Sequence, residues 1–113
     1  MKYMLIHCVD ESVEGALGGD QGRPAIEDWL AEMEGRGVLL HGDRLRYVNT
    51  ATTVRVRSSE LLVSDGPFAE TKEQVAGYDV IDCADLDEAI AWAAKIPGAW
   101  IHKVEIRPVM VFS

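Results

Sequence analysis

The pattern of apolar and polar residues changes period along the chain and predicts strands and helices in turn. Residues 2 to 9 are almost continuously apolar, which favours a strand covered on both faces. Residues 10 to 23 are acidic and glycine-rich and are predicted to form a mobile loop. A helix is then predicted from Pro24 until Gly35 and Gly37 stop it. Its apolar stripe at helical spacing consists of Ile26, Trp29, Leu30 and Met33.

The middle of the chain predicts a short strand followed by a hairpin. Val38 to Leu40 form the strand, and residues 51 to 65 form the hairpin with a two-residue turn at Ser58-Ser59. The predicted register pairs Arg57 with Glu60, Val56 with Leu61, Arg55 with Leu62, and Val54 with Val63. This register places Asp65 opposite Thr52, on the apolar face of the hairpin.

The last third of the chain predicts a strand, a helix and a final strand. Residues 75 to 82 form the strand, and Asp85 begins the helix with Glu88 three residues later as a capping box. Pro97-Gly98 ends the helix, and residues 101 to 109 form the final strand. The apolar stripe of this helix is predicted to contain Leu86, Ala89, Ile90 and Ala93.

The resulting order, β-α-β-β-β-α-β, predicts an α+β fold, a ferredoxin-like plait. Two helices with one apolar stripe each cover one face of the sheet. The other face stays bare and carries Glu105 and Arg107 beside apolar residues. A half-apolar sheet face on a small protein predicts a partner surface, and a homodimer is the simplest arrangement.

Composition narrows the class of protein. The 113 residues predict a single domain, 1–113, and the net charge of −8 argues against nucleic acid and against an anionic membrane surface. No apolar run approaches the ~20 residues that span a bilayer, and the first nine residues are too short for a signal peptide. Cys8 and Cys83 are predicted to be buried thiols, which indicates the cytoplasm.

The densest run of candidate chemistry extends from Asp65 to Glu73. Asp65-Gly66-Pro67 predicts a turn at a strand end, and Phe68 is predicted to be buried and to pin the following loop. Asp65 is a candidate general base or ligand-orienting carboxylate, or alternatively a turn residue that binds backbone N–H groups. Glu70, Lys72 and Glu73 either line the mouth of a pocket or form solvated charge pairs.

The final strand offers a second set of candidates. Glu105 and Arg107 share a face, so the first is a candidate acid–base group and the second a candidate clamp for an anionic substrate. The alternative is a salt bridge at a dimer interface. Tyr78 either donates its hydroxyl to the same cavity or simply packs.

Metal and cofactor sites are not expected. His7, His41 and His102 lie on three separate segments without a metal-ligand spacing, and His7 is predicted to be buried in the first strand. The glycines between residues 15 and 22 do not form a phosphate-binding loop after a strand.

The combined motifs resemble the YCII-related proteins, in the branch named for its DGPF motif. The resemblance is carried by Asp65-Gly66-Pro67-Phe68, Glu70-x-Lys72-Glu73, Gly77-Tyr78, Ala51 to Arg55, Asp87-Glu88-Ala89 and Val104 to Val109. It implies a dimeric α+β barrel-type assembly in which two sheets face each other across a cavity. It also implies lyase-like wider relatives with a His–Asp pair whose His lies on or near the first helix. Residues 24 to 36 contain no His.

Two functions remain open at this point. The first is a cofactor-independent lyase- or isomerase-like enzyme for an unidentified small molecule, with Asp65 or Glu105 moving a proton and Arg107 holding an anion. The second is a non-catalytic ligand-binding or regulatory dimer. The resemblance implies for it a link to an extracytoplasmic-function sigma factor.

Overall fold

The computed structural model describes residues 1–12, 23–96, 99 and 102–111. Its helices and strands are, in chain order, β1 Lys2–Val9, α1 Arg23–Gly35, β2 Leu39–Arg44, β3 Thr52–Arg57, β4 Glu60–Asp65, β5 Gln74–Asp82, α2 Leu86–Ala94 and β6 Lys103–Pro108. A single 3₁₀ turn, Val48–Thr50, precedes β3. Most of the predicted loop and the helix end predicted at Pro97-Gly98 lie outside the described residues.

Four of the strands form one antiparallel sheet with the order β2-β5-β1-β6. Strands β3 and β4 form a separate two-stranded sheet. The predicted order counts the hairpin as a single strand and has five strands, whereas the described residues form six, of which the two hairpin strands lie apart from the main sheet. Without the hairpin the order is β-α-β-β-α-β, and the sheet order is that of the ferredoxin-like α+β plait, as predicted.

Both helices pack against the same face of the sheet. The core consists of Tyr3, Leu5, Trp29, Met33, Ile81, Cys83, Ala89, Trp92, Ala93 and Ile96. The indole nitrogen of Trp29 donates a hydrogen bond to the carbonyl of Trp92 at 3.1 Å, so the two helices are joined inside the core. This contact satisfies a polar group that burial would otherwise penalise.

The stripe predicted for α1 is confirmed, whereas that of α2 is partly wrong. Ala89 and Ala93 are buried as predicted, but Leu86 and Ile90 are each 48% exposed. Trp92 takes the central position instead, because its large ring fills the space between the helices. The predicted N-terminus is confirmed, since a carboxylate oxygen of Asp85 accepts from the Glu88 N–H at 2.9 Å.

Truncation of Ile81 tests the location of the core. Ile81 is fully buried between the helices and the sheet, so Ile81→Ala should lower the free energy of unfolding by about 2–5 kcal/mol. Ile90→Ala removes the same atoms from a half-exposed site and should cost less than about 1 kcal/mol. Urea unfolding of both variants measures the difference. Equal losses would place the core elsewhere.

The hairpin has the predicted register at every pair. Thr52 lies opposite Asp65, and Arg57 lies opposite Glu60 at the turn. Ser58 and Ser59 have φ angles of 50° and 64°, the left-handed values that a type I′ turn requires at both central positions. This turn matches the right-handed twist of the strands, so it forms here without the usual glycine.

The apolar face of the hairpin has no cover within the described chain. Val54, Val56, Leu61 and Val63 are between 59% and 68% exposed. The radius of gyration, 15.9 Å, exceeds the value of about 13 Å expected for a compact chain of this length, consistent with a protruding arm. The prediction that Phe68 is buried is wrong, since Phe68 is 92% exposed. The loop that carries Phe68 contacts the rest of the chain through other residues, such as Lys72 and Glu73, and leaves the Phe68 ring in solvent.

Candidate functional site

A histidine and a buried aspartate meet on the helix-covered face of the sheet. Nε2 of His7 in β1 lies 2.7 Å from Oδ2 of Asp79 in β5. Leu5 pairs with Asp79 and His7 pairs with Gly77, so the contact is a diagonal between adjacent strands. The side chains are 20% and 10% exposed, respectively. An imidazole held by a carboxylate in this way is an arrangement used for acid–base chemistry.

Gly42 in β2 makes room for the carboxylate. Gly42 pairs directly with Asp79, and a Cβ atom built on Gly42 would overlap Oδ1 of Asp79 and approach the Tyr78 carbonyl oxygen to 2.6 Å. Any larger residue at this position would therefore displace the carboxylate or separate the strands. The pair is fixed from the His7 side by a hydrogen bond and from the β2 side by this close approach.

Asp79 also faces a cavity of about 480 Å³ between α1 and β2. The walls are Leu30, Glu34, Leu39, Leu40, His41 and Gly42. The walls therefore combine three leucines with the carboxylates of Glu34 and Asp79. The pair thus lies beside a space large enough for a ligand, although His7 itself is not among the walls.

Sequence patterns alone did not predict the contact between His7 and Asp79. His7 was predicted to be buried in the first strand, and the structure shows it partly buried. The sequence of β5 does indicate a buried carboxylate. Asp79 interrupts the apolar run from Val75 to Ile81, and it lies two residues before the core residue Ile81 and so on the same face of the strand. A carboxylate on a core face requires a partner. The resemblance implies a His–Asp pair with its His on or near the first helix, whereas the His–Asp contact of this structure has its His on β1.

The loop after the hairpin lines a different cleft, of about 510 Å³. Glu70 and Lys72, two of the predicted substrate-binding residues, are on its wall together with Gly66 and Pro67. Nζ of Lys72 lies 4.0 Å from Oδ2 of Asp10 across the cleft. Glu73 instead accepts a 2.8 Å hydrogen bond from Lys103.

Asp10 is the most constrained charge of this cleft. Its Oδ1 accepts hydrogen bonds from the Ser12 hydroxyl at 2.6 Å and from the Ser12 N–H at 3.0 Å. These two bonds, followed by the charge of Lys72, hold the pKa of Asp10 below its ordinary value. The cleft therefore presents a fixed carboxylate opposite a mobile ammonium group.

Asp65, a predicted catalytic residue, lies at the end of β4 as expected but is exposed. It shares a hairpin face with Leu61 and Val63, and that face does not pack on the main sheet. Asp65 therefore lies on the apolar face of the hairpin opposite Thr52, as the register predicts, but that face is exposed because the hairpin is a separate sheet. Asp65 is on a different element from the His7–Asp79 pair.

Glu105, Arg107 and Tyr78 lie on the bare face of the main sheet. Arg107 pairs with Met4 and Glu105 pairs with Ile6, so both face away from the helices. Their side chains form an exposed ion pair at 3.7 Å. The Tyr78 hydroxyl lies 3.5 Å from Oδ2 of Asp43. The structure thus brings Glu105 and Arg107 together, but on the opposite face from His7 and Asp79.

Cys8 occupies the same bare face and gives a prediction on reactivity. Burial, followed by the charges of Glu105 and Glu73, raises the pKa of the Cys8 thiol. A raised thiol pKa leaves less thiolate at neutral pH, so Cys8 should react slowly with Ellman's reagent and faster as the pH rises above the ordinary thiol range. The measurement is made on Cys83→Ser, with the urea-unfolded variant as control. A folded rate equal to the unfolded rate would contradict it.

Two further properties concern membranes and metals. Among the described residues no helix is long and apolar enough to cross a bilayer. In the same parts of the chain no three His, Cys, Asp or Glu side chains are grouped to hold a metal ion.

Comparison with known proteins places the chain in a family. An uncharacterized protein of Rhizobium meliloti (strain 1021) is 36% identical over 118 residues, covering 100% of this chain and 95% of the relative. The model of the YCII-related domain matches residues 1–113. The match over the full sequence and the similarity to the rhizobial protein agree with the motifs and with the α+β fold. The chain belongs to the YCII-related domain family.

Proposed function

We propose that the protein is a cofactor-independent acid–base enzyme of the lyase or isomerase type, acting on a small molecule. The observation that carries the proposal is the 2.7 Å contact between His7 Nε2 and the buried carboxylate of Asp79. In this role His7 is the general base and acid. Asp79 orients the ring and stabilises the imidazolium that forms when the ring takes a proton.

The contact determines which ring nitrogen does the chemistry. When Nε2–H donates to Asp79, Nδ1 carries the lone pair that accepts a proton. Because the hydrogen bond to Asp79 is made by Nε2, Nδ1 is the ring nitrogen that exchanges a proton with the substrate in this proposal. Imidazole is suited to this exchange because it gains and loses protons near neutral pH.

The surroundings of the pair support a carbon acid as the substrate. Leu30, Leu39 and Leu40 line one part of the neighbouring cavity. Apolar walls of this kind strengthen electrostatic interactions at reacting atoms. Proton transfer at carbon next to a carbonyl is the elementary step shared by many lyases and isomerases. It requires a positioned base and no cofactor.

The proposal includes a homodimer in the cytoplasm, with two sheets facing each other as in a dimeric α+β barrel. The bare face of the main sheet and the apolar face of the hairpin both support a partner copy. The roles first assigned to Asp65, Glu105 and Arg107 become secondary in this proposal, because none of them lies beside His7.

A second candidate is a non-catalytic regulatory dimer that is linked to an extracytoplasmic-function sigma factor. The exposed hairpin favours it, because a long apolar arm fits protein recognition as well as self-association. Gene neighbours distinguish the candidates: a catabolic operon supports the enzyme, and an adjacent sigma-factor gene supports the regulator.

Deuterium exchange tests the enzyme directly without knowledge of the full reaction. The protein is incubated in D₂O with 2-oxo acids, 3-oxo acids and enol lactones, and deuterium at the carbon next to the carbonyl is measured by mass spectrometry. Catalysed exchange with at least one class is expected. Exchange no faster than in the protein-free control with every class would leave the regulatory dimer as the better candidate.

A further inference from the structure

One row of residues crosses the sheet beside the acid–base pair. Gly77 in β5 pairs with Arg44 in β2 on one side and with His7 in β1 on the other. Directly paired residues share a face of the sheet. Arg44 therefore extends from the same face as His7, with a glycine between them.

The row between Arg44 and His7 carries no side chain at Gly77, and this stretch of the sheet face is called the trough. Neighbouring strands lie about 4.8 Å apart, so the backbones of Arg44 and His7 are separated by about 10 Å. Gly77 contributes no side chain to the space between them. In the next row Gly42 is likewise without a side chain beside Asp79. The trough is bounded by an imidazole at one end and a guanidinium at the other.

Arg44 is available for a ligand at this position. Among the described residues its guanidinium has no carboxylate within ion-pair distance, whereas Arg36 pairs with Glu32 and Arg107 pairs with Glu105. Other exposed arginines, such as Arg46, also form no ion pair with the residues that the structure describes. Within the described sheet, Arg44 is the arginine that pairs with Gly77, the residue that also pairs with His7. The position of Arg44, rather than its lack of an ion pair, therefore indicates a role in binding.

We propose that Arg44 binds the carboxylate of the substrate and that the substrate is a small oxo acid lying in this trough. The planar fork of arginine matches a carboxylate with two parallel hydrogen bonds. When the carboxylate of the substrate binds Arg44, a substrate chain of a few atoms is long enough to place its acidic C–H group beside His7. The inference rests on the proposed function and replaces the anion clamp first expected at Arg107.

The test is a binding measurement that needs no turnover. The ring signals of His7 are followed by NMR while sodium pyruvate is added at constant ionic strength, with methyl pyruvate as the neutral probe. Pyruvate should displace the His7 signals and methyl pyruvate should do so far more weakly. Arg44→Gln should weaken pyruvate binding at least about tenfold, the effect of losing a charge-assisted hydrogen bond. The affinity of Arg44→Lys for pyruvate should fall between those of the wild type and Arg44→Gln.

Arg57→Gln is the matched control, because it removes a guanidinium from the hairpin, which is a separate sheet, and should leave pyruvate binding unchanged. Inorganic phosphate is titrated in parallel, and stronger Arg44-dependent binding of phosphate than of pyruvate would overturn the oxo-acid class. An absent response in the wild-type chain, or an equal response in Arg44→Gln, overturns the anchor. The proposed function fails separately, through absent deuterium exchange in a chain that still binds pyruvate through Arg44.

Discussion

Replacement of His7 by glutamine is expected to lower catalysed deuterium exchange by about 10²–10⁴-fold, the usual contribution of a positioned acid–base group. Glutamine cannot accept the substrate proton at neutral pH. Its amide still donates a hydrogen bond to Asp79, so the buried carboxylate keeps a partner and the fold should persist. Exchange rates and thermal unfolding are measured on the same preparation.

Asp79→Asn separates orientation from proton transfer. The amide keeps the shape beside Gly42 but supplies no charge to stabilise the imidazolium, so a loss of the same order is expected. Asp82→Asn is the matched control on the same strand, since Asp82 is exposed and ion-paired only with the N-terminus among the described residues. Wild-type exchange in folded His7→Gln would sink the assignment of the base.

Introducing aspartate on the apolar face of the hairpin is expected to convert a dimer into monomers. Val56 and Leu61 form one cross-strand pair and are 68% and 63% exposed. An isolated two-stranded hairpin is marginally stable in water, so this face requires a cover, and a partner copy provides one. A stable interface buries about 800 Å² on each partner, and the paired valines and leucines would supply its apolar centre.

Sedimentation equilibrium measures this directly. The wild-type protein should have twice the 12.5 kDa mass of one chain, and the double variant Val56→Asp, Leu61→Asp should have a mass near 12.5 kDa. Ser64→Asp places a single aspartate on the other face of β4 and should remain dimeric, and each single variant, Val56→Asp or Leu61→Asp, is the charge-matched comparison. A monomeric wild type at micromolar concentration, or a dimeric double variant, would show that the hairpin does not mediate assembly.

Local patterns predicted the elements better than their arrangement. The first strand, the first helix and every pair of the hairpin register follow from apolar periods and charge pairing among near neighbours. The position of the hairpin relative to the main sheet depends on contacts between distant segments, or on a partner. No period within residues 52 to 65 encodes that position, so the expected burial of Phe68 was wrong.

In the candidate site, too, features formed by neighbouring residues were predicted and features formed by distant residues were not. The charged loop after the hairpin was found because its residues are consecutive, and Glu70 and Lys72 do line a cleft. His7 and Asp79 are 72 residues apart and become neighbours only when β5 pairs with β1. The parity of Asp79 within its apolar strand indicated a buried carboxylate. Identifying His7 as the partner of Asp79 required knowledge of the strand order.

The hairpin also has a closed stem, which makes it an independent module. The Gly66 N–H donates to the Ala51 carbonyl at 2.7 Å, and the Thr53 hydroxyl donates to the Gly66 carbonyl at 2.8 Å. The chain thus leaves and rejoins the body at almost the same point, between strands β2 and β5 that already lie side by side. Lengthening, shortening or grafting at the Ser58-Ser59 tip therefore alters a surface appendage without changing the path of the plait. Evolution, or an engineer, can exchange the arm for another while the contact between His7 and Asp79 in the main sheet stays the same.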